Sequence, residues 1–391
     1  MVPQRRIEPA GPTAEWAEMN FDFSDDQKFL KNEARKFLQA NCPTSQVRKV
    51  LDDDGKAYDA DLWKQVAAQG WLGAAIPEAH GGLGLGHLEL CVIAEELGRA
   101  VAPIPFASTV YFLAEAIMLA GSDEQKAELL PKIAAGEVIG AVATSEGPGV
   151  LTPAALQASV SDGKLTGVKI PVTDGDIATV ALVLAKENGK PGLFLADLGG
   201  GSVSREVVKT LDPTRDAAKL TFKDTPVRRI GNAGEGFELL EQIFDRAAVL
   251  LAFEQTGGAD RCLEMAKEYA LERYAFGRVI ASYQAIKHKL ADMYVKNELS
   301  RSNAYYGAWA LNTNAPELPV AASAARIAAS EAFWFASKEN IQTHGGIGFT
   351  WEMDCHLYYR RSRQLSLVAG APRVWKERLV SHLERRNVEA A

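Results

Sequence analysis

The six histidines (His80, His87, His288, His344, His356, His382) and four cysteines (Cys42, Cys91, Cys262, Cys355) of this 391-residue chain are scattered rather than grouped. No two histidines stand three or four residues apart, the spacing that puts two imidazoles on one helix face, so no metal site is expected. No C-x-x-C pair occurs, which leaves neither a zinc ribbon nor a dithiol redox centre. Scattered thiols fit a reducing, cytoplasmic setting. The phosphate loop G-x-x-x-x-G-K-[ST], the metalloprotease H-E-x-x-H and the nucleophile elbow G-x-S-x-G are all absent. The run Gly81-Gly82-Leu83-Gly84-Leu85-Gly86 satisfies G-x-G-x-x-G in no register and reads as a turn between helices.

Three segments carry more. The first is Ala143-Thr144-Ser145-Glu146. The second runs from Tyr269 through Arg273 to Phe276-Gly277, followed by Tyr283-Gln284 and Leu290-Ala291-Asp292-Met293. The third is Gln342-Thr343-His344-Gly345-Gly346-Ile347-Gly348-Phe349. Each alone has a plain structural reading: Arg273 as a surface charge, Gly277 as a helix stop, Gly345-Gly346 as a helix C-cap. A further feature is Glu254, in Ala252-Phe253-Glu254-Gln255 beside an apolar stretch. A carboxyl in apolar surroundings has a raised pKa and suits proton abstraction. It suits a structural pair equally, since a buried carboxylate needs a partner. Asp245 and Arg246 read either as ligand contacts or as solvent-facing charges.

The elements that must position these residues fall into three blocks. Ser24-Asp25-Asp26-Gln27 is a capping-box pattern opening a helix to Asn41. Helical spacing recurs over Asp61–Gln69, His87–Leu97, Ser108–Ala120 and Asp123–Ala135. From Val138 to about Val227 β-branched residues rise, and Asp162-Gly163, Asp174-Gly175 and Asn188-Gly189 punctuate the chain. Val180–Lys186 and Leu193–Asp197 read as strands. Long amphipathic stretches then run from Phe237 to Tyr274, Tyr283 to Leu311 and Ala321 to His344, with a final pair at Tyr358–Leu367 and Arg373–Arg386. Short connections between long helices predict an antiparallel bundle. The expected fold class is α+β: a disordered leader or tag over 1–20, an N-terminal helical domain over 21–138, a small middle β domain over 139–232 and a C-terminal four-helix bundle over 233–391. The chain is 47% apolar and 24% charged, enough to build a core throughout. Forty-three Lys and Arg against 50 Asp and Glu give a net charge of −7, which argues against a general nucleic-acid binder. No apolar run reaches the ~18–20 residues of a membrane span.

In this order and on this layout, the three segments resemble the acyl-CoA dehydrogenases, over about Phe21 to Leu383. The most specific pieces are the R-x-x-F-G block followed by Gln and L-A-D-M, and Q-x-x-G-G-x-G-[FY]. The segment Gly70–Arg99 also looks like that family's N-terminal domain. The resemblance implies FAD held between subunits, an acyl-CoA substrate and an electron-transfer flavoprotein as acceptor. It implies a homotetramer, or a heterotetramer with a second acyl-CoA dehydrogenase-like subunit. Carried over by position, Thr144, Ser145 and Thr173 would lie at the flavin. Arg273 would contact the FAD pyrophosphate of the neighbouring subunit, a role that fits the forked guanidinium. Phe276 and Gln284 match further FAD contacts, and Gln342, Gly345 and Gly346 the approach to the adenosine end.

The resemblance breaks at the base. The family's Y-E-G-T motif falls on Val368-Ala369-Gly370-Ala371, so its Glu is Ala369. The alternative position, on the first helix of the bundle, is Ala247, followed by Ala248 where the family usually has Arg. Neither methyl takes a proton, although the Ala369 N–H remains able to bond a thioester oxygen. The family's Ser-Asp after Glu146 is also missing, and Pro171 replaces its usual Trp or Phe. Glu254 lies seven residues past Ala247 on the same helix face and is the replacement base to consider. Four readings follow: a dehydrogenase subunit whose base comes from a partner chain, a dehydrogenase with the base relocated to Glu254, a non-catalytic structural partner, and a flavin oxidase or monooxygenase on the same fold.

Overall fold

The computed structural model describes residues 23–53, 56–149 and 151–389. The leader expected over 1–20 lies outside them. Helix α1 (Asp25–Asn41) starts at the predicted capping box: Ser24 Oγ accepts the Gln27 N–H at 3.2 Å, and Gln27 Oε1 accepts the Ser24 N–H at 2.9 Å. Helix α2 (Thr44–Leu51) went unread in the sequence because its 8 residues are too short for a clear period. Helix α3 (Ala60–Ala68) is capped by Asp59. The Gly81–Gly86 run then folds back on its own backbone. A Cβ at Gly82 would stand 2.1 Å from the Ile76 carbonyl oxygen, so the turn requires glycine there.

Helix α4 (His87–Arg99) is buried at every residue from Leu90 to Gly98. Its Glu95 bridges Lys31 on α1, at 2.7 Å, and Arg301 in the C-terminal bundle, at 2.6 Å. The helix expected over Ser108–Ala120 is two pieces. A π-helical stretch, Ala107–Ala114, runs into α5 (Glu115–Ala120). Helix α6 (Asp123–Ala134) opens at a second capping box, Ser122 with Gln125.

Seven strands follow: β1 (Gly140–Ala143), β2 (Ser159–Ser161), β3 (Lys164–Thr173), β4 (Val180–Glu187), β5 (Lys190–Asp197), β6 (Val203–Val208) and β7 (Ala217–Ile230). Their pairings close into a ring. β4 pairs β5, β5 pairs β7, β7 pairs β3 and β3 pairs β2, all antiparallel, and β2 returns to β4 in parallel. Two of the tight turns sit where the dipeptides predicted. Asp162-Gly163 and Asn188-Gly189 have positive φ at both residues (49° and 69°; 52° and 77°), the geometry of two-residue type I′ hairpins. β1 runs parallel to β4, and just past its end Glu146 bridges Ile170 of β3. That bridge brings the chain after β1 beside the last residues of β3.

The C-terminal part has three long helices, α7 (Gly236–Glu272), α8 (Gln284–Asn312) and α9 (Leu318–His344), and two shorter ones, α10 (Cys355–Leu367) and α11 (Pro372–Glu389). α7 spans 37 residues, and its stretch from Ala247 to Ala259 is buried throughout because α4 and the bundle cover it from both sides. α4 and α7 meet backbone to backbone. A Cβ on Gly98 would fall 1.8 Å from the Glu254 carbonyl oxygen, and one on Gly257 would fall 1.9 Å from that of Glu95. After α7 the chain forms a hairpin of β8 (Tyr274–Ala275) and β9 (Arg278–Val279).

Candidate functional site

A cavity of about 730 Å³ opens where the three parts meet. The β domain supplies Thr144, Ser145, Pro171 and Thr173, brought together by the Glu146–Ile170 bridge. The π-helical stretch supplies Ser108 and Phe112, and the start of α7 supplies Phe237, Glu241 and Phe244. The end of α10 and the loop after it add Arg363, Gln364 and Val368–Ala371, and α11 adds Arg378. Wider helical turns of the π type recur at functional sites, and here one forms part of the cavity wall.

The three guanidinium groups on this wall differ in their partners. Arg215 is buried and paired twice with Asp174, at 3.0 and 2.8 Å, while Ser108 Oγ donates to the same carboxylate. Arg378 is held by Asp245 at 2.7 Å and by Glu241 at 3.7 Å. Burial pushes the Asp245 carboxyl up to about 6, against the pull of Arg378. Arg363 lies over the Trp334 ring, 4.5 Å from its centroid, and has no carboxylate partner among the described residues.

Below this wall is a buried charge network. Arg361 pairs with Asp212 at 2.6 Å. Arg326, fully buried on α9, donates to Gln255 and to the carbonyls of Leu365 and Val368, the last at 2.8 Å. It thereby fixes the loop that carries Ala369. Burial pushes the Arg326 guanidinium down to about 9, with Glu254 opposing the shift.

The residues singled out from the sequence divide into three places. Thr144, Ser145 and Thr173 stand together on the cavity wall. Ser145 Oγ is engaged locally, donating to the Gly147 carbonyl at 3.2 Å. The hydroxyls of Thr144 and Thr173 have no partner among the described residues. Arg273, Phe276, Gln284, Gln342, Gly345 and Gly346 lie apart from this cavity, exposed at one end of the bundle. Stacking of Tyr269 on His344, centroids 4.2 Å apart, ties the ends of α7 and α9 there. Phe276 and Gly277 form the tip of the β8–β9 hairpin at φ 50° and 81°, with Phe276 97% exposed.

Glu254 is in the third place, and here the structure departs from the expectation of a base facing substrate. It does not line the cavity. It is buried at 4% exposure inside the charge network, 3.9 Å from Arg361, with Arg215, Arg326 and the Tyr111 hydroxyl around it. Burial pushes its carboxyl up, and the arginines pull it back. Glu241 is the one carboxylate on the wall among the described residues, and it is half exposed and tied to Arg378. Ala369 lines the cavity at φ 59°, whereas Ala247 is buried away from it.

Sequence reading missed Arg215, Arg326, Arg363, Gln364 and Arg378. For Arg326 a signal was present, a lone arginine within the small-residue run Ala321–Ser330. The others lie on segments whose meeting is decided by the fold.

Thr144, Thr173 and Arg363 line one cavity, and their side chains have no hydrogen-bond or carboxylate partner among the described residues. Comparisons with known proteins give the family of the chain. Residues 24–137 match the acyl-CoA dehydrogenase N-terminal domain, and residues 234–383 the acyl-CoA dehydrogenase C-terminal domain. The chain is 34% identical to the acyl-CoA dehydrogenase IpdE2 of Mycobacterium tuberculosis over 362 residues, 92% of this chain and 98% of the relative. Among solved structures, it is 31% identical to a chain of the Tcur3481–Tcur3483 steroid ACAD, with TM-score 0.84 over 93% of this chain and 99% of that one. It is 25% identical to a chain of the ChsE4–ChsE5 complex of Mycobacterium tuberculosis, with TM-score 0.84 over 94% of this chain and 99% of that one. With both of its helical parts matched in this way, the chain belongs to the acyl-CoA dehydrogenase family of oxidoreductases.

Proposed function

We propose that the chain holds FAD along the β-domain side of the cavity. It serves there as a subunit in the α,β-dehydrogenation of an acyl-CoA thioester, and the proton-abstracting carboxylate comes from a second acyl-CoA dehydrogenase-like chain. The observation that carries this reading is Ala369. It occupies the cavity wall where the family pattern has a glutamate, and among the described residues no carboxylate on the wall is dry and unpaired.

Bound FAD supplies a hydride acceptor. Thr144 and Thr173, whose hydroxyls have no partner among the described residues, and Ser145 beside them would hold the flavin end of the cofactor from the β-domain edge. The Ala369 N–H, in a loop braced by Arg326, donates to the thioester carbonyl and makes the α C–H more acidic. Its methyl cannot accept the proton, which goes to the partner's carboxylate. Arg273, Phe276, Gln284, Gln342, Gly345 and Gly346 lie too far along the bundle to line their own chain's cavity and serve the cofactor of the neighbouring subunit. The likeness to a steroid ACAD and to a two-component complex favours a bulky acyl group and a heteromeric assembly. An electron-transfer flavoprotein then takes the electrons.

The test is the visible spectrum, solution mass and turnover of the purified chain, alone and coexpressed with a base-bearing chain of the family. The expected result is a flavin spectrum on an oligomer that turns over only with the partner. A colourless protein in every assembly overturns the reading in favour of a structural subunit. Full turnover by this chain alone overturns it in favour of a base within the chain, with Glu254 first in line, and peroxide release points to an oxidase.

A further inference from the structure

Arg215, Arg326 and Arg361 are all buried, and one of them uses its charge differently. Arg215 faces Asp174, and Arg361 faces Asp212. Arg326, 1% exposed on α9, makes no salt bridge among the described residues. Its Nη1 donates to the Gln255 side-chain oxygen, and its Nη2 to the carbonyls of Leu365 and Val368, the latter at 2.8 Å. A hydrogen bond from a cationic donor is roughly twice as strong as a neutral one and polarises the amide that accepts it.

These two carbonyls matter for what they free. In a helix that continued, the Leu365 carbonyl would accept the Ala369 N–H. Arg326 takes that acceptor, and the chain leaves α10 with Ala369 at φ 59°. The Val368 N–H still bonds Gln364 at 3.3 Å and the Gly370 N–H bonds Leu367 at 3.1 Å. The Ala369 N–H between them has no acceptor among the described residues. It belongs to the same peptide group as the Val368 carbonyl. That peptide is trans, since the one cis bond among the described residues is Ile170-Pro171. Its N–H therefore points opposite to the carbonyl that Arg326 holds. The cation stands behind the N–H of a residue on the cavity wall.

We infer that Arg326 is a positioning residue for the dehydrogenation: holding the Val368–Ala369 peptide by its carbonyl, it aims and strengthens the Ala369 N–H as donor to the thioester carbonyl. The guanidinium itself does not touch substrate. Its charge acts through one polarised peptide group on the thioester oxygen, where negative charge gathers as the α proton leaves for the base. The inference rests on the proposed function, because it needs a thioester at this wall.

The experiment uses the assembled, FAD-loaded complex and cinnamoyl-CoA carrying 13C at its thioester carbonyl. Infrared difference spectra locate the carbonyl band, because a hydrogen bond to the oxygen lowers its frequency. In wild type the band is expected to fall on binding. Arg326→Gln keeps a donor but removes the charge. It should lose more than half of that shift and lower kcat about tenfold, with KM moving less than twofold, for the acyl-CoA of the turnover test above. Arg326→Lys should restore part of both. Thermal unfolding checks that the variants fold. Lactic acid in place of Ala369 removes the N–H with Arg326 intact, and should abolish the shift, which keeps the test decisive if Arg326→Gln does not fold. A merely structural brace would lower the unfolding midpoint and leave the band in place. A wild-type band at its free position, a shift that survives Arg326→Gln or the lactic acid replacement, or equal loss in the Gln and Lys variants overturns the inference. Failure of the proposed function is read separately, in the flavin spectrum and turnover of the wild-type complex.

Discussion

At the scale of single residues, two alanines and one glutamate decide the chemistry. Ala369 already pays for a left-handed backbone at φ 59°, so a glutamate at that position adds no backbone strain that alanine lacks. Ala369→Glu in the FAD-loaded chain is expected to raise dehydrogenation by roughly 10²-fold or more, the usual worth of a placed general base. The companion variant is Glu254→Gln. Glu254 is the anion facing Arg326, whose own hydrogen-bond partners are neutral. Removing one member of a buried charge cluster costs about 3–5 kcal/mol. Glu254→Gln should therefore lower the unfolding midpoint, while turnover by the assembled complex follows only the folded fraction. Abolished turnover at unchanged stability would assign the base to Glu254 after all.

At the scale of elements, the crossing of α4 and α7 sets where the network and the cavity sit. Gly98 rests on the Glu254 backbone and Gly257 on that of Glu95, so neither contact relaxes by moving a side chain. Gly98→Ala is expected to destabilise the protein by about 3 kcal/mol or more, at the upper end for overpacking. Denaturant unfolding reads this directly, and an unchanged midpoint would mean that the helices slide apart freely. The β8–β9 hairpin shows the same economy of residues. The Asp162-Gly163 and Asn188-Gly189 turns use residues that accept positive φ, whereas this hairpin places Phe276 there and exposes its ring. Strain of this kind persists where it serves a contact, and the neighbouring subunit's cofactor is the contact proposed above.

At the scale of the whole molecule, stability is linked to pH through Asp245. Its carboxyl is pushed up to about 6 in the folded chain from 3.8, so the folded state binds the proton more tightly than the unfolded state. Stability from this group is complete below about pH 4 and is lost as pH rises through about 6. At 1.36 kcal/mol per unit the loss is at most roughly 3 kcal/mol. Asp245→Asn removes this dependence, so its stability relative to wild type should rise between pH 4 and 7. Urea titrations at several pH values check this, and a constant difference across that range would show that Arg378 keeps Asp245 ionised throughout. Among the described residues no helix is long and apolar enough to cross a membrane.

Much of this protein is local and therefore legible in its sequence. The capping boxes at Ser24 and Ser122, the Asp-Gly and Asn-Gly hairpins, the long amphipathic helices and the glycine turn at 81–86 depend on contacts within a few residues. The α+β order of helices, sheet and bundle follows from them. The motifs around Thr144, Arg273 and Gln342 were likewise readable, as was the alanine at 369. Tertiary structure alone decided which of these residues share a cavity. A strand bridge at Glu146 and Ile170 gathers Thr144 and Thr173, while Arg273 and Gln342 emerge at a different end. It also decided that Glu254 faces arginines: its neighbours Arg215, Arg326 and Arg361 come from a β-domain loop and two other helices. A carboxylate's role depends on the charges and solvent around it, and those are set by segments far apart in the chain.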